Sequence, residues 1–465
     1  MPGLSLLLAV VALGLISIFL RRLRHNLPPG PKPAPLLGNL HQHPKSLQWL
    51  HLYHWSKKYG PVMHLSMGGQ PLVILSTHQA AHDLLSKRSV RYSDRPRMVM
   101  AGELVTKGMH MLLRPYDEWY RLHQRMEAPH LNLRSASAYR PLQDMESRQL
   151  LFDVLHEYSE VGAKGVDFHH HFERAMASFI YCVNYGYRLK TGYEQELMDG
   201  KRVQAEFART GQVGAYLVDS FPSLNYLPKA LAPWKKEAEE LRNSPSILGI
   251  LADANLDTST VALDWFIVAW ITSGSRWVAK AQSLLDEVVG RDRLPTFEDR
   301  PKLAYIDAIA SETLRWRPVV VGGVPHFTMT EDTYMGYHIP ANSIVLANGF
   351  AITRDESVFG GDVDNFIPER WLADENGHNM NMNKEPAMAR MLWAFDVEAG
   401  VDEKTGQRHK VDDMDCTEGF VKLPKLFRAE MRPRGQRVRD VILRSGTTHD
   451  IDHAEVLSRT SRERR

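Results

Sequence analysis

Two short stretches of the sequence combine residue types that could take part in chemistry. Glu312 and Arg315 lie three residues apart, just ahead of Pro318. Because positions i and i+3 share one face of a helix, this carboxylate and this guanidinium can pair. The second stretch is Asp257-Thr258, an acid beside a hydroxyl within a mostly apolar run. Each pair by itself is common in proteins, so its interpretation depends on the sequence around it.

The elements that must position these pairs follow from the pattern of apolar residues. The run from Ile250 to Ala269 predicts a long buried helix that carries the second pair. Further along, the stretch Phe366–Trp371 contains Arg370, a second arginine that could reach the carboxylate of Glu312. Near the N-terminus, short alternating stretches within 60–76 predict a β-hairpin with a glycine turn. A small β region therefore precedes a long helical tract.

The Glu-x-x-Arg element, followed by Pro-Glu-Arg-Trp, resembles the cytochrome P450 superfamily, and the run from Lys280 to Leu372 is similar to fungal members. In that family a Glu-Arg-Arg triad, here Glu312, Arg315 and Arg370, locks the core on the haem side. The resemblance implies the cytochrome P450 fold, which is mainly α with a small β region. It also implies a haem cofactor, and we assign the triad to the residues that hold it.

The same resemblance implies catalytic roles for the acid and the alcohol. The stretch Ala254–Ser259 is similar to a helical element of the family whose acid and alcohol deliver protons to iron-bound dioxygen. Asp257 and Thr258 inherit these two roles. The family's glycine, which lets the helix open for oxygen, is replaced here by Asn255.

A further stretch, Pro115–Arg125, occupies the place of a family helix whose Trp and Arg reach a haem propionate. Here Trp119 is followed four positions later by His123 instead of an arginine. Arg121 and Arg125, one helical turn apart, could still offer cations to a propionate. A basic helix face without a ligand is the alternative.

Composition argues against several other classes of protein. The chain has 465 residues with 57 basic against 55 acidic side chains, so a role in binding nucleic acid has no electrostatic support. Two cysteines, Cys182 and Cys416, rule out a disulfide framework and suit a reducing compartment. The run His169–His171 is interpreted as surface or a helix start and not as a metal site, because adjacent histidines on a helix point in different directions. Motifs of serine and zinc hydrolases are missing.

The N-terminus predicts a membrane anchor. The run from Leu4 to Leu20 is uncharged and mostly apolar, and a cluster of arginines follows it directly. A cleaved signal peptide is the alternative, but its basic cluster would precede the apolar run. We predict a single-pass anchor over 1–25, a proline-rich hinge over 26–36 and a P450-like domain over 26–465. This arrangement is typical of microsomal P450s, with the body on the cytosolic side of the endoplasmic reticulum.

The chain departs from the family in two places. Only Asn243–Ser246 separates the charged helix that ends at Arg242 from the helix beginning near Ile250, where family members have a longer segment. No cysteine occurs between Trp371 and Met388, where the family's Phe-x-x-Gly-x-Arg-x-Cys-x-Gly loop supplies the thiolate that binds haem iron. We therefore predict a P450 fold that is abridged before the long helix and at the haem-ligand loop.

Two other residues are candidates to replace that thiolate as a ligand of haem iron. Cys416 lies among acidic residues, which raise the pKa of a thiol and oppose a thiolate ligand. His378 lies nearer the expected place, but an imidazole would bind haem without the electron push of a thiolate. A solvated loop is the alternative for both residues.

The function predicted from the sequence is that of a haem monooxygenase acting on an apolar small molecule, in fungal secondary-metabolite biosynthesis by resemblance. Electrons would come from a separate NADPH-cytochrome P450 reductase, because the chain has no flavin or nicotinamide motif. The alternative is a catalytically inactive P450-like protein, or the product of an incomplete gene prediction, that does not bind haem through a thiolate.

Overall fold

The structure is a computed structural model that describes residues 26–35, 37–42, 44, 46–132, 137–211, 215–242, 256–372, 386–446 and 456. These residues form a mainly helical protein with a small β region, as the sequence predicts. The helices are α1 Gln48–Tyr59, α2 His78–Ala81, α3 Ser89–Tyr92, α4 Glu118–Leu131, α5 Arg140–Val161, α6 Phe168–Tyr185, α7 Gln195–Thr210, α8 Leu217–Ser220, α9 Pro233–Arg242, α10 Leu256–Val288, α11 Ala304–Trp316, α12 Gly349–Ile352, α13 Glu356–Phe359, α14 Pro386–Ala394 and α15 Gln436–Ser445. The strands are β1 Val62–Met67, β2 Gln70–Leu75, β3 His326–Thr328, β4 Asp332–Tyr334, β5 Tyr337–Ile339, β6 Ser343–Ala347, β7 Phe395–Ala399 and β8 Ala429–Pro433.

The predicted N-terminal hairpin is confirmed. Strands β1 and β2 pair antiparallel, with Met67 opposite Gln70. The two residues between them, Gly68 and Gly69, have φ of 60° and 94°, which glycine adopts most readily. The sheet continues in the order β1-β2-β6-β3, so this hairpin is joined to strands from the second half of the chain. This sheet therefore joins the N-terminal hairpin to residues 326–347.

The long buried helix is also confirmed from Leu256 onward, and it extends well beyond the predicted end at Ala269. Its predicted start over 250–255 lies outside the described residues. Helix α10 runs from Leu256 to Val288, and every side chain from Thr260 to Trp270 is buried. It packs against α6, α11 and α14 within the largest apolar cluster of the described residues. The buried stretch of this helix therefore forms the centre of the core.

Helix α11 carries the Glu-x-x-Arg pair. It ends at Trp316, two residues before Pro318, because a proline disfavours the helical conformation in the residue that precedes it. Ten of its thirteen residues are buried, which leaves almost no solvated face. A Glu-Arg pair on such a helix must be satisfied inside the protein.

The predicted anchor over 1–25 lies outside the described residues. Within the described part of the chain, no helix is long and apolar enough to cross a membrane.

We expect Gly323→Ala to destabilise the fold, because Gly323 has a φ of 68° and a Cβ there would lie 2.4 Å from the carbonyl oxygen of Ala347 in β6. The positive φ alone should lower the free energy of unfolding by about 1–3 kcal/mol, and the clash adds to this. Urea unfolding measures the change. Gly361→Ala is the matched control, because no heavy atom lies within 4 Å of a Cβ at that position. Equal stabilities of the two variants would contradict the expectation.

Candidate active site

The predicted pairing of Glu312 with Arg315 is present at the centre of the protein. Both side chains are fully buried. The guanidinium donates two hydrogen bonds, from Nε to Glu312 Oε2 and from Nη2 to Glu312 Oε1, each at 2.7 Å. This bidentate geometry is the strongest arrangement that an arginine and a carboxylate form.

The guanidinium of Arg315 also donates hydrogen bonds to backbone carbonyl oxygens within residues 353–365. Its Nη1 donates to the carbonyl oxygens of Val363 at 2.7 Å and Thr353 at 3.0 Å. Its Nη2 also donates to the carbonyl oxygen of Asn365 at 3.0 Å. One side chain therefore fixes three backbone positions of an otherwise irregular segment.

The carboxylate of Glu312 holds the end of the same segment. Its Oε1 accepts from the backbone N–H of Ile367 at 2.8 Å, and its Oε2 accepts from the indole N–H of Trp371 at 2.8 Å. Arg370 completes the triad, with Nε 3.5 Å from Glu312 Oε1. The guanidinium of Arg370 also donates to the carbonyl oxygen of Gly361 at 2.9 Å. The structure thus brings together the three triad residues that the sequence singled out.

A cavity of about 410 Å³ lies beside α10. Its volume is within the range of pockets that hold one small molecule. Side chains from separate parts of the chain converge on it, and more than half of the lining residues are apolar. They come from 98–113, 169–173, 201–211, 258–261, 320–325 and 417–423. None of the three triad residues lines this cavity.

Thr258, one of the two predicted catalytic residues, lines the cavity. Its neighbour Asp257 lies in the first turn of α10, but its side chain is outside the described part of the structure. Thr258 is therefore placed where a small molecule bound in the cavity would contact it. The role of the acid stays a prediction.

Arg121 and Arg125, the predicted propionate ligands, lie elsewhere. Both are exposed on α4 and line a separate surface groove. The guanidinium of Arg121 lies 6.0 Å from the ring centre of Tyr116, an exposed cation–π contact. The structure does not bring these arginines to the cavity, and a role toward a propionate stays a prediction.

The three adjacent histidines begin α6 and each meets a different partner. His170 Nε2 lies 3.0 Å from the carbonyl oxygen of Thr191, and His171 Nε2 lies 2.6 Å from Glu157. His169 turns inward, and its Nδ1 lies 2.8 Å from Oδ2 of a fully buried acid on α10, Asp264. The histidine run is thus a helix start, as predicted, but its first member belongs to the cavity wall.

Sequence reasoning missed the role of Asp264. Its partner on α6 is 95 residues away in the chain, so no local spacing connects them. The available signal was an acid inside the apolar run of α10, where an ionised group needs a partner. Burial is the largest influence on Asp264 and, despite the hydrogen bond from His169, raises the pKa of the carboxyl to about 6.

The two cysteines lie apart from the cavity lining. Cys182 is buried on α6 against Leu142 and Met145, and burial raises the pKa of its thiol to about 11. Cys416 is partly buried beside Trp49 and Phe350. Burial, more than the nearby acids, raises the pKa of the Cys416 thiol. Both thiols are therefore protonated at neutral pH.

Cys416 nevertheless lies at the base of a small hairpin whose tip lines the cavity. It bridges to Pro424, and the backbone N–H of Thr417 donates to the carbonyl oxygen of Leu423 at 2.8 Å. The carbonyl oxygen of Lys422 accepts from the indole N–H of Trp265 on α10 at 2.7 Å. The hairpin is thereby fixed to the central helix.

Comparison with known proteins decides the family. The model of the cytochrome P450 family matches residues 28–244 and 247–389. The chain belongs to the cytochrome P450 family. It is 34% identical to cytochrome P450 monooxygenase aneD of Aspergillus aculeatus over 97% of both chains. It is 32% identical to cytochrome P450 monooxygenase FrzL of Cladobotryum sp over 97% of this chain and 96% of FrzL. It is 36% identical to cytochrome P450 monooxygenase drtD of Aspergillus calidoustus over 82% of this chain and 81% of drtD.

Two details of the comparisons agree with a chain that is shorter inside than other P450 proteins. The family match is interrupted between residues 244 and 247, next to the first predicted abridgement. The alignment with aneD runs over 511 positions, whereas this chain has 465 residues. Part of the relative therefore faces no residue of this chain. Neither detail locates the second predicted abridgement.

The P450 family implies a haem, whose iron is held by a cysteine thiolate. The whole sequence contains two cysteines, and neither of them lines the cavity. His378 lies outside the described residues. The residues that this chain offers at the cavity therefore do not fit a thiolate-bound haem.

We expect the triad to make a large contribution to the free energy of unfolding. Replacement of Arg315 by Met leaves the buried charge of Glu312 without its bidentate partner, and we expect the free energy of unfolding to fall by about 3–5 kcal/mol. Chemical denaturation measures the loss. The control is Arg148→Met, which removes a half-exposed arginine 2.8 Å from Asp144 and should cost at most about 1 kcal/mol. A loss at Arg315 no larger than in the control would contradict the structure.

The cysteine placement predicts slow thiol chemistry, because the thiolate is the reactive form. In the folded protein at pH 8, Cys182 should resist a maleimide and Cys416 should react slowly. Both should react at once after unfolding. Mass spectrometry of tryptic peptides separates the two sites. Rapid labelling of Cys182 in the folded protein would contradict its burial.

Proposed function

We propose that this protein has the function of a cytochrome P450 monooxygenase, the oxidation of an apolar small molecule. The observation that carries the proposal is the cavity of about 410 Å³ against α10, mostly apolar, with Thr258 in its wall. The fungal relatives aneD, FrzL and drtD are each named as P450 monooxygenases, which supports the same reaction class. A role in secondary metabolism is part of this proposal.

The family also suggests a cofactor, an electron donor and a location in the cell. We include in the proposal a haem cofactor, electrons from NADPH-cytochrome P450 reductase, and an anchor over 1–25 that holds the body at the endoplasmic reticulum. The apolar run at the N-terminus and the arginines after it support the anchor.

This chain's own residues would bind and orient the substrate. Apolar side chains such as Leu112, Val261 and Val324 exclude water from the cavity, and burial of the substrate's apolar surface drives binding. The hairpin that carries Phe420 closes one side and is fixed to α10 through Trp265. The rest of the oxidation requires a thiolate that these residues do not place at the cavity, and we propose no step through it.

The relatives support the monooxygenase, and the cysteine placement is the reason to test a second candidate against it. Cys182 and Cys416 are the only thiols of this sequence, and neither lines the cavity. In this form the chain would be a P450 scaffold that takes up an apolar ligand without haem. The two candidates differ in whether the scaffold accepts haem once it has a cysteine loop.

The deciding experiment compares the full chain with a chimera in which the stretch between Trp371 and Met388 is replaced by the cysteine-loop region of aneD. We expect the reduced, carbon-monoxide-treated chimera to show the Soret shift of thiolate-bound haem and the parent chain to lack it. The matched control is the same chimera with its loop cysteine changed to serine.

Two results would change the conclusion. A folded chimera without the shift would favour the haem-free scaffold. A thiolate-type shift in the parent chain would show that Cys182 or Cys416 reaches the iron, and Cys416→Ser and Cys182→Ser would tell which.

A further inference from the structure

The pair formed by His169 and Asp264 is not explained by packing. Asp264 lies in the most buried part of α10, and its Oδ1 has no hydrogen-bond partner in the described part of the chain. Replacing a buried ion pair by apolar residues of similar size is often neutral or stabilising. An acid with one unsatisfied oxygen at this position therefore calls for another explanation.

The contact between the two side chains fixes the ring of His169. A carboxylate accepts hydrogen bonds, so Nδ1 carries a proton toward Asp264 Oδ2, 2.8 Å away, and Nε2 is left for another partner. Burial disfavours the imidazolium, but the hydrogen bond and charge of Asp264, helped by Glu173 and Asp167, raise the pKa of His169 above its ordinary value. The contact with Asp264 therefore favours the protonated ring, in which Nε2 is a second N–H donor.

Among the described residues, Nε2 of His169 makes no hydrogen bond to the protein. His169 lines the cavity with its side chain 20% exposed, and its hydrogen bond to Asp264 uses the other ring nitrogen. The nearest charged pair on the wall is already satisfied, since Lys201 Nζ lies 2.8 Å from Glu173 Oε2. A donor thus faces a mostly apolar cavity without a matching acceptor.

The pair formed by His169 and Asp264 also lies near Thr258 along the same cavity. Both Thr258 and His169 line the same cavity. Asp264, which holds His169, follows Thr258 on α10 by six positions, or about 9 Å along the helix axis. A molecule held at His169 could therefore extend along α10 to Thr258.

We propose that His169 is the polar anchor of the cavity and donates a hydrogen bond from Nε2 to a carbonyl or carboxylate oxygen of an otherwise apolar ligand. Asp264 positions the ring and keeps it protonated. This inference rests on the cavity being the ligand site, as proposed above, but it does not depend on haem. It narrows the ligand class from any apolar molecule to one that carries an acceptor oxygen.

The test measures binding of two compounds of nearly equal shape, 2-acetylnaphthalene and 2-ethylnaphthalene, to the purified full chain by fluorescence titration. The ketone should bind about tenfold more tightly, the size expected for a hydrogen bond from a charged donor. His169→Phe should remove this preference and leave the affinity for the hydrocarbon unchanged or higher. His170→Phe is the matched control, because that neighbour does not line the cavity, and it should keep the preference.

Asp264→Asn provides a second variant that preserves shape. It removes the charge that keeps His169 protonated, so Nε2 should become an acceptor. The ratio of ketone affinity to that of the alcohol 1-(2-naphthyl)ethanol should then fall several-fold, which a merely structural role of Asp264 would not produce.

Three results would overturn the proposal. These are equal affinity of the unaltered chain for the two compounds, binding of neither, and a ketone preference that survives His169→Phe but is lost in Lys201→Met. Because no step of the test requires haem, a failed carbon-monoxide shift with an intact ketone preference would affect the monooxygenase proposal alone.

Discussion

The buried carboxylate of Glu312 is the constraint on which the rest of the structure depends. An ionised acid in a core is costly in free energy unless its oxygens are fully engaged. Here both oxygens accept from Arg315, and they also accept from Ile367 and Trp371. These partners come from α11 and from the irregular segment after α13. The chain around residues 353–371 therefore takes its shape because Glu312 must be satisfied.

Because of this requirement, the triad is evidence for the fold but not for catalytic activity. Its three residues hold backbone and each other, and none of them lines the cavity. The same contacts would form whether or not a cofactor is bound. Helix α10 performs the other task, because it presents Thr258 to the cavity, holds His169 through Asp264 and fixes the opposite hairpin through Trp265. The triad and the wall of the cavity are thus carried by different helices, α11 and α10.

This chain differs from what its family implies in the placement of its two cysteines. A P450 needs a deprotonated cysteine facing the iron. In this chain neither cysteine side chain lines the cavity. The apolar cavity is formed nonetheless, since its walls come from α6, α7, α10, the hairpin near Phe420 and the segments 98–113 and 320–325. Among the described residues, the cavity therefore does not depend on a cysteine loop.

The sequence by itself determined the features that depend on local spacing. Periodicity and turn chemistry predict the i, i+3 pairing of Glu312 and Arg315, the hairpin at Gly68-Gly69 and the buried helix through Thr258. The number of cysteines requires no structure at all.

Only the tertiary structure decided which distant groups meet. It placed Asp264 against His169, left Arg121 and Arg125 exposed on α4, and turned Cys416 away from a cavity that its neighbour Thr417 lines. Such contacts join residues far apart in the chain, and packing rather than sequence spacing sets which side chains face each other.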